Sequence, residues 1–476
     1  MKFSLLAALA VRFNVRQRLA LGRLVVGACW LCWLAVAGCR PAAEPESTGG
    51  EPVTTPPAAS LIPLRVWVAA PIGDSQTWLR QWLATSEQPL DLREVDVEEL
   101  LQMSQTESDV LVYPARLVGD LLDRGWIVKL PEGSRATGDG PEAAPAAAES
   151  EQMATAVPAA WRQQATYAGE VVGVPLGCSL PVFVASDSGP SSEQPLPWKT
   201  LFESLQLQEQ PTPQLDIDPD QVDRHALVDR WLAIAATLTD RDPGYGLLFD
   251  LQTMKSRLKE PHFAQAAAIL AGLAGQPGGL SAVTGSHSEA WTWAATHSQP
   301  VVAIASPAML DAQAASITRG KIIGLQVAAA EQDRPVVRAW NGGGGLLASL
   351  SSGCRQTNQA AALLGWLAEP QTRTALANFA PGIEPATPAA GTASLVWQAR
   401  QSLGPILNGA SLAHEPRLPR ANEYRQALAE ALIAFLSGAH DASQAMSAVD
   451  ARWQQITAVA GGEQRRQYEQ SLGLSL

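Results

Sequence analysis

Histidine, cysteine and tyrosine are scarce in this chain: six, five and five among 476 residues. Cys29, Cys32 and Cys39 all lie near the N-terminus, so beyond them only Cys178 and Cys354 remain, and one pair cannot be read as a disulfide framework. His287 and His297, beside Trp291 and Trp293, lack the cysteine or carboxylate cluster that a metal site needs. Basic residues are outnumbered 34 to 46. Lys2, Arg12, Arg16, Arg18 and Arg23 are the only charges before Cys39, and without them the net charge moves from −12 to −17. Nucleic acid is thereby excluded, because phosphate binding needs clustered Lys and Arg. There is no Gly-x-Ser-x-Gly elbow, no His-Glu-x-x-His helix and no Walker loop, and the Gly342 to Gly345 run lacks the Gly-x-Gly-x-x-Gly register. Nothing here points to an enzyme or a cofactor, and no tandem repeat is visible.

What is present begins at the N-terminus. Four arginines precede the apolar run Leu24 to Gly38, which at 15 residues is short for a membrane-spanning helix but suits a signal-peptide core. The run ends Val36-Ala37-Gly38-Cys39, which resembles a bacterial lipobox. The expectation is a signal peptide over 1–38, lipidation of Cys39, and a protein held outside the cytoplasm, in a periplasmic or equivalent space, on a membrane anchor. The alternative is an uncleaved anchor in which Cys39 is incidental. Residues 39–60, rich in Pro, Ala, Glu, Thr and Gly, read as a tether of roughly 60 Å if extended.

At 46% apolar and 17% charged, the remainder is globular and long enough for two or three domains. Leu64 to Ala70 reads as a buried strand and Leu90 to Val95 and Asp109 to Pro114 as a second and a third strand, with helical apolar spacing between and after them. Strands alternating with helices predict an α/β fold with parallel sheets, whose ligands sit beyond the carboxyl ends of the strands. Glu132 to Thr155 reads as a solvated insertion. Tyr167 to Ser186 contains two apolar runs interrupted by Pro175 and Pro181, which suits a chain leaving one sheet and entering another. Strands are further expected over Val301 to Ala305, Ile322 to Val327 and after the glycines at 342–345. Helices are expected over His225 to Leu238, Met254 to Ala274, Tyr424 to Leu436 and Ala442 to Trp453.

Several phrases in order resemble the family 1 extracellular solute-binding proteins of ABC importers, the group containing maltose-binding protein. They are Asp109 to Tyr113 with Gly125 to Leu130, Gly169 to Pro175, Pro197 to Leu201, Val301 to Pro307, Gly344 to Ser352 with Ala360 to Leu367, and Gly438 to Trp453. The resemblance spans nearly all of residues 61–460. It implies a two-lobed periplasmic-binding-protein-like fold of type II, each lobe a mostly parallel sheet flanked by helices, with the ligand in a cleft between them. The first lobe would comprise 61–180 and 333–383, the second 184–328 and 388–470. The implied function is capture of a small solute, with carbohydrate favoured, by a monomer that delivers it to ABC importer permease subunits. An envelope lipoprotein of the same fold, acting as a sensor or scaffold, is the alternative.

Carried onto this sequence, the family's ligand positions fall at Asp74, Tyr113, Arg116 and Ser179. Each has a plainer reading: Asp74 as a helix N-cap, Tyr113 as a packing residue, Arg116 as a solvated charge. Trp340, Asn341 and Gly342 add an aromatic face beside a glycine run where backbone can approach a ligand, and Tyr424 completes the set. Thirteen tryptophans follow the signal segment, and aromatic faces favour a sugar, although Trp67, Trp126, Trp231, Trp366 and Trp453 sit on apolar faces. Two departures from the family, Ala308 in place of an aromatic and Ser179 in place of an acid, argue against a maltose-like ligand. Cys178 would lie near the cleft and Cys354 far from it, which disfavours a disulfide.

Overall fold

The computed structural model describes residues 61–130, 158–190, 198–207, 214–239, 246–323, 339–377, 379–385, 395–407, 412–460 and 463–473. The expected signal segment, the lipidated Cys39, the tether and the 132–155 insertion lie outside them. Leu61–Leu476 form one compact unit.

The first sheet has the order β2-β1-β3-β11-β6: Leu64–Val68 is β1, Leu90–Glu94 β2, Val110–Pro114 β3, Val174–Pro175 β6 and Leu346–Leu350 β11. β1 pairs parallel with β2 and β3, whereas β11 runs antiparallel to β3 and β6. Alternating side chains serve two layers, as the two-residue period of a strand requires. Val66, Val68, Val110, Val112, Leu346 and Ala348 pack with Trp78, Trp82 and Trp366 on one face. Leu111, Tyr113 and Leu347 pack with Leu117, Leu121 and Trp126 on the other. A short hairpin of β4 (Thr166–Tyr167) and β5 (Glu170–Val171) leads into β6. Pro175 is tolerated because β6 is the edge strand.

Leu176–Pro181 then crosses to the second sheet, in which β7 (Val182–Ala185) lies between β8 (Val302–Ala305) and β9 (Lys321–Ile323). Pro181 precedes β7 and so takes no donor from its ladder. Both pairings of β7 are antiparallel, so the expected parallel pattern is confined to β1–β3 and to β10 (Ala339–Asn341) with β12 (Leu412–His414). The large second core gathers the helices Arg224–Leu238, Pro261–Ala274, His287–Thr296, Ala421–Leu436 and Ala442–Ala460 around this sheet. Ala339 and Trp340, expected in the first lobe, belong to this core. The chain therefore returns to the first sheet through Gly342–Gly345, later than residue 333.

The helix expected from Met254 begins at Pro261, where a proline at the first turn lacks only a donor that would be orphaned anyway. Arg230, 1% exposed, donates to the carbonyls of Val283, Gly285, Ser286 and Ile304 and ties the helix Gly279–Thr284 to β8. No helix among the described residues is long and apolar enough to cross a membrane.

Candidate functional site

Beyond the carboxyl end of β3 the chain turns at Ala115–Leu117, and the backbone N–H of Arg116 donates to the Gly343 carbonyl. One residue back, Gly342 donates to the Ser179 carbonyl at 2.9 Å, so both crossings meet at one point. Glycine is required there: a Cβ on Gly342 would stand 2.9 Å from Asp229 Oδ1, and one on Gly343 2.4 Å from the Arg116 Cβ. The expected close approach of backbone therefore exists, and it is to charged side chains of the protein itself.

These side chains come from both lobes. Arg425, on the helix Ala421–Leu436, donates to Glu415 Oε1, to Asp229 Oδ1 at 2.8 Å and to the His225 carbonyl at 2.9 Å. Glu415 Oε2 accepts the Gly343 N–H at 2.6 Å. Asp229 Oδ2 lies 3.6 Å from His287 Nε2, while His287 Nδ1 accepts the Ser306 N–H. Ser179 Oγ donates to Ser306 Oγ at 3.2 Å. Arg116 Nη2 lies 3.4 Å from His225 Nε2.

The electrostatics follow from this arrangement. Burial opposes the Asp229 charge, but Arg425 and His287 outweigh it and hold the carboxyl well below its usual range. Burial likewise opposes the charge of Arg425, yet Glu415 and Asp229 hold its proton more tightly than usual. Arg116 has no such partner: burial first, then repulsion by Arg425, lowers it to about 10. Repulsion by Arg116, followed by burial, pushes His225 well below the usual imidazole range and keeps it neutral. The cavity adjoining the cluster, lined by Phe249, Glu415, Tyr424, Arg425 and Trp453, measures about 20 Å³. That is room for one water.

Of the residues expected at the site, Arg116, Ser179, Asn341 and Gly342 converge. Asp74 does not: it caps the helix Ser75–Leu83, accepting from the Gln76 N–H and Thr77 Oγ1. Tyr113 lies beneath the first sheet with its hydroxyl 2.7 Å from Ser349 Oγ. Trp340 is fully buried, and no face is free for stacking. Tyr424 packs edge-on against Phe249 and Trp453. Arg425, one residue further, is the residue that faces the cluster, together with Asp229 and Glu415. A one-residue step turns a helical side chain by about 100°, so only the tertiary structure separates the two.

A second line of side chains runs behind the crossing. The Cys178 thiol donates to Asn341 Oδ1 at 3.0 Å, and Asn341 Nδ2 is 3.2 Å from His414 Nδ1. Burial raises the thiol well above its usual value and lowers His414 to about 3, so this trio has neither a thiolate nor a base for nucleophilic chemistry. Cys178 and Cys354 are both free thiols.

No protein-family model and no curated protein sequence matches the chain. Solved structures do match. Maltose-bound MalE3 of T. maritima is 12% identical with a TM-score of 0.56, over 83% of this chain and 99% of that one. The sugar-binding protein MalE from Xanthomonas citri is 12% identical with a TM-score of 0.54, over 84% and 98%. An ABC transporter solute-binding protein from Thermotoga lettingae, bound with α-D-tagatose, is 12% identical with a TM-score of 0.56, over 83% and 99%. The chain is thus similar in structure to the sugar-binding solute-binding proteins of ABC transporters and has their two-lobed α/β fold.

Proposed function

We propose that this protein is a solute-binding lipoprotein, anchored through Cys39, that takes a small carbohydrate between its two lobes and presents it to an ABC importer. The observation that carries the reading is the convergence of Arg116, Ser179, Asn341 and Gly342 with Asp229, Glu415 and Arg425 where the two crossings meet. Polar groups converging from two rigid bodies are what a closing receptor needs, since each lobe alone offers half of the contacts. The unreactive Cys178 and His414 favour binding over catalysis. Lobes divided at 176–181 and 342–345 would rotate about those strands. Thermal melting of the full chain against a panel of mono- and oligosaccharides tests this, with an upward shift expected for at least one. No shift for any sugar would refute carbohydrate binding. Labelled palmitate should be incorporated and lost in Cys39→Ala; unchanged labelling would refute the anchor.

One observation favours a second reading, a scaffold or sensor without transport. Arg425 is already held by Asp229 and Glu415 of its own lobe, so these three charges are satisfied without a ligand. A chain that melts identically with and without every sugar, yet keeps this junction, would favour that reading.

A further inference from the structure

Several buried arginines in this protein are provided for, although Nε is also unpartnered on Arg373, which stacks over Trp161, and on Arg400 and Arg425. Arg230 donates to four backbone carbonyls. Arg417 donates to the carbonyls of Gln164 and Ser471. Arg425 has two carboxylates and a carbonyl. Arg116 is different. It is 6% exposed, its Nε has no hydrogen-bond partner, and its only side-chain hydrogen bond among the described residues is the 3.4 Å approach to His225 Nε2. Among the described residues no carboxylate lies within 4.0 Å of its guanidinium nitrogens. A buried guanidinium with an unmade charged donor is costly, and structures that keep one gain by supplying its partner from elsewhere.

The neighbouring charges indicate what that partner is. Asp229 and Glu415 are both engaged by Arg425, and Glu415 also by the Gly343 N–H, so neither needs a cation from a ligand. The largest charge effect on Arg116 is repulsion by Arg425, and His225 beside it stays neutral because Arg116 opposes its protonation. Glu415, Asp229 and Asp223 offset part of that repulsion, yet among the described residues none of them reaches the Arg116 guanidinium, so what the junction leaves unmet is an acceptor for its donors. A planar fork of guanidinium donors matches a carboxylate or phosphate, which can take Nε and an Nη together.

We propose that the solute is an anionic carbohydrate, a sugar acid or sugar phosphate, whose anionic group pairs with Arg116 in place of His225. The proposal rests on the binding reading above and narrows its ligand class. On binding, the anion accepts from Nε and one Nη of Arg116, and the neutral imidazole is released as the lobes close over it.

Calorimetric titration of the full chain with matched pairs tests it: D-glucose against D-glucuronate, D-galactose against D-galacturonate, and D-glucose against D-glucose 6-phosphate. The acidic member of at least one pair should bind at least ten-fold tighter, and which pair does so separates carboxylate from phosphate. Arg116→Gln should abolish the difference, and Arg116→Lys, which keeps the charge but loses the fork, should retain part of it. The wild-type comparison stands even if a variant fails to fold. Equal or tighter binding of the neutral members overturns the anionic ligand while leaving the receptor reading intact. Undiminished acid binding by a folded Arg116→Gln overturns the role of Arg116. Failure of every sugar, neutral or acidic, overturns both.

Discussion

Gly119 offers the sharpest test of how tightly the lobes are joined. It lies in the first turn of the helix Val118–Asp123, which packs under the first sheet, and it faces the strap that follows β12 in the second core. A Cβ at this position would stand 2.0 Å from the Arg417 carbonyl oxygen and 2.5 Å from the Leu418 carbonyl carbon. Both obstacles are backbone, so no side chain can swing aside. Ordinary contact begins at 3.4 Å, so Gly119→Ala must drive the helix and strap apart by about 1.4 Å. The bond from the Arg420 N–H to Asp120 Oδ1, now 2.6 Å, spans that gap and would be lost or stretched. Overpacking costs about 1–3 kcal/mol and a hydrogen bond to a charged group about 1.5–3 kcal/mol, against about 1 kcal/mol that alanine returns in a helix. The net expectation is a loss of about 2–4 kcal/mol in urea denaturation, with a larger radius of gyration in small-angle scattering as the lobes part. Gly365→Ala is the control: it also lies in a helix, nothing is within 4 Å of its Cβ, and it should be neutral or slightly stabilising. If Gly119→Ala behaves like Gly365→Ala, the lobes are not held as described and the interlobe argument fails.

Three further outcomes are expected. Arg425→Met should cost about 3–5 kcal/mol in chemical denaturation, because it strands Asp229 and Glu415 as buried charges; a loss under 1 kcal/mol would mean that water reaches them. Asp120, raised to about 6 by burial and with Oδ2 unpartnered, binds its proton more tightly folded than unfolded. Stability should therefore fall as pH rises from about 4 to 6, by on the order of 2–3 kcal/mol from this group, and Asp120→Asn should flatten that slope; an unchanged slope would remove Asp120 as its source. Trp340→Phe should cost about 1–2 kcal/mol in the core yet leave affinity for any bound sugar within two-fold; a larger loss of affinity would restore Trp340 to the site.

The strands and helices were legible where a local period or a breaker sets them. Leu64–Val68, Leu90–Glu94 and Val110–Pro114 lie inside the expected runs, because each is of strand length between turn residues, with Val110–Pro114 apolar throughout and Leu90–Glu94 alternating apolar with charged residues only at its start. Tyr167 to Ser186 was legible as a crossing because two prolines cannot sit within a central ladder: Pro175 is found on an edge strand and Pro181 just before β7. Pairing direction in the second sheet was not legible, since the central strand β7 is separated from both of its partners, β8 and β9, by well over a hundred residues of chain. Neither was the pairing of Ala339 and Trp340, because nothing in their own sequence marks them as a strand that pairs with Leu412–His414 in the second core.

The site separates along the same line. Arg116 and Ser179, taken from the family resemblance, and Gly342, taken from its glycine run, do meet where the crossings meet. Asp229, Glu415 and Arg425, which stand with them, were not legible, because each is brought there only by what stands opposite it. Asp229 lies within a helix whose neighbours are nearly all buried, where a carboxylate reads as an anomaly with no partner nearer in sequence than His225 and Arg230. Its actual partner is 196 residues away. The same separation explains the mistaken weight on aromatic residues. Trp340 and Tyr424 have the chemistry of sugar stacking, but burying a large ring in a core competes with exposing it to a ligand, and here the core takes both. With those faces withdrawn, the proposed recognition rests on the Arg116 guanidinium and backbone donors. A junction so composed would discriminate by charge more than by apolar surface, which is why the paired neutral and acidic sugars probe it more directly than a series of sugars of increasing length.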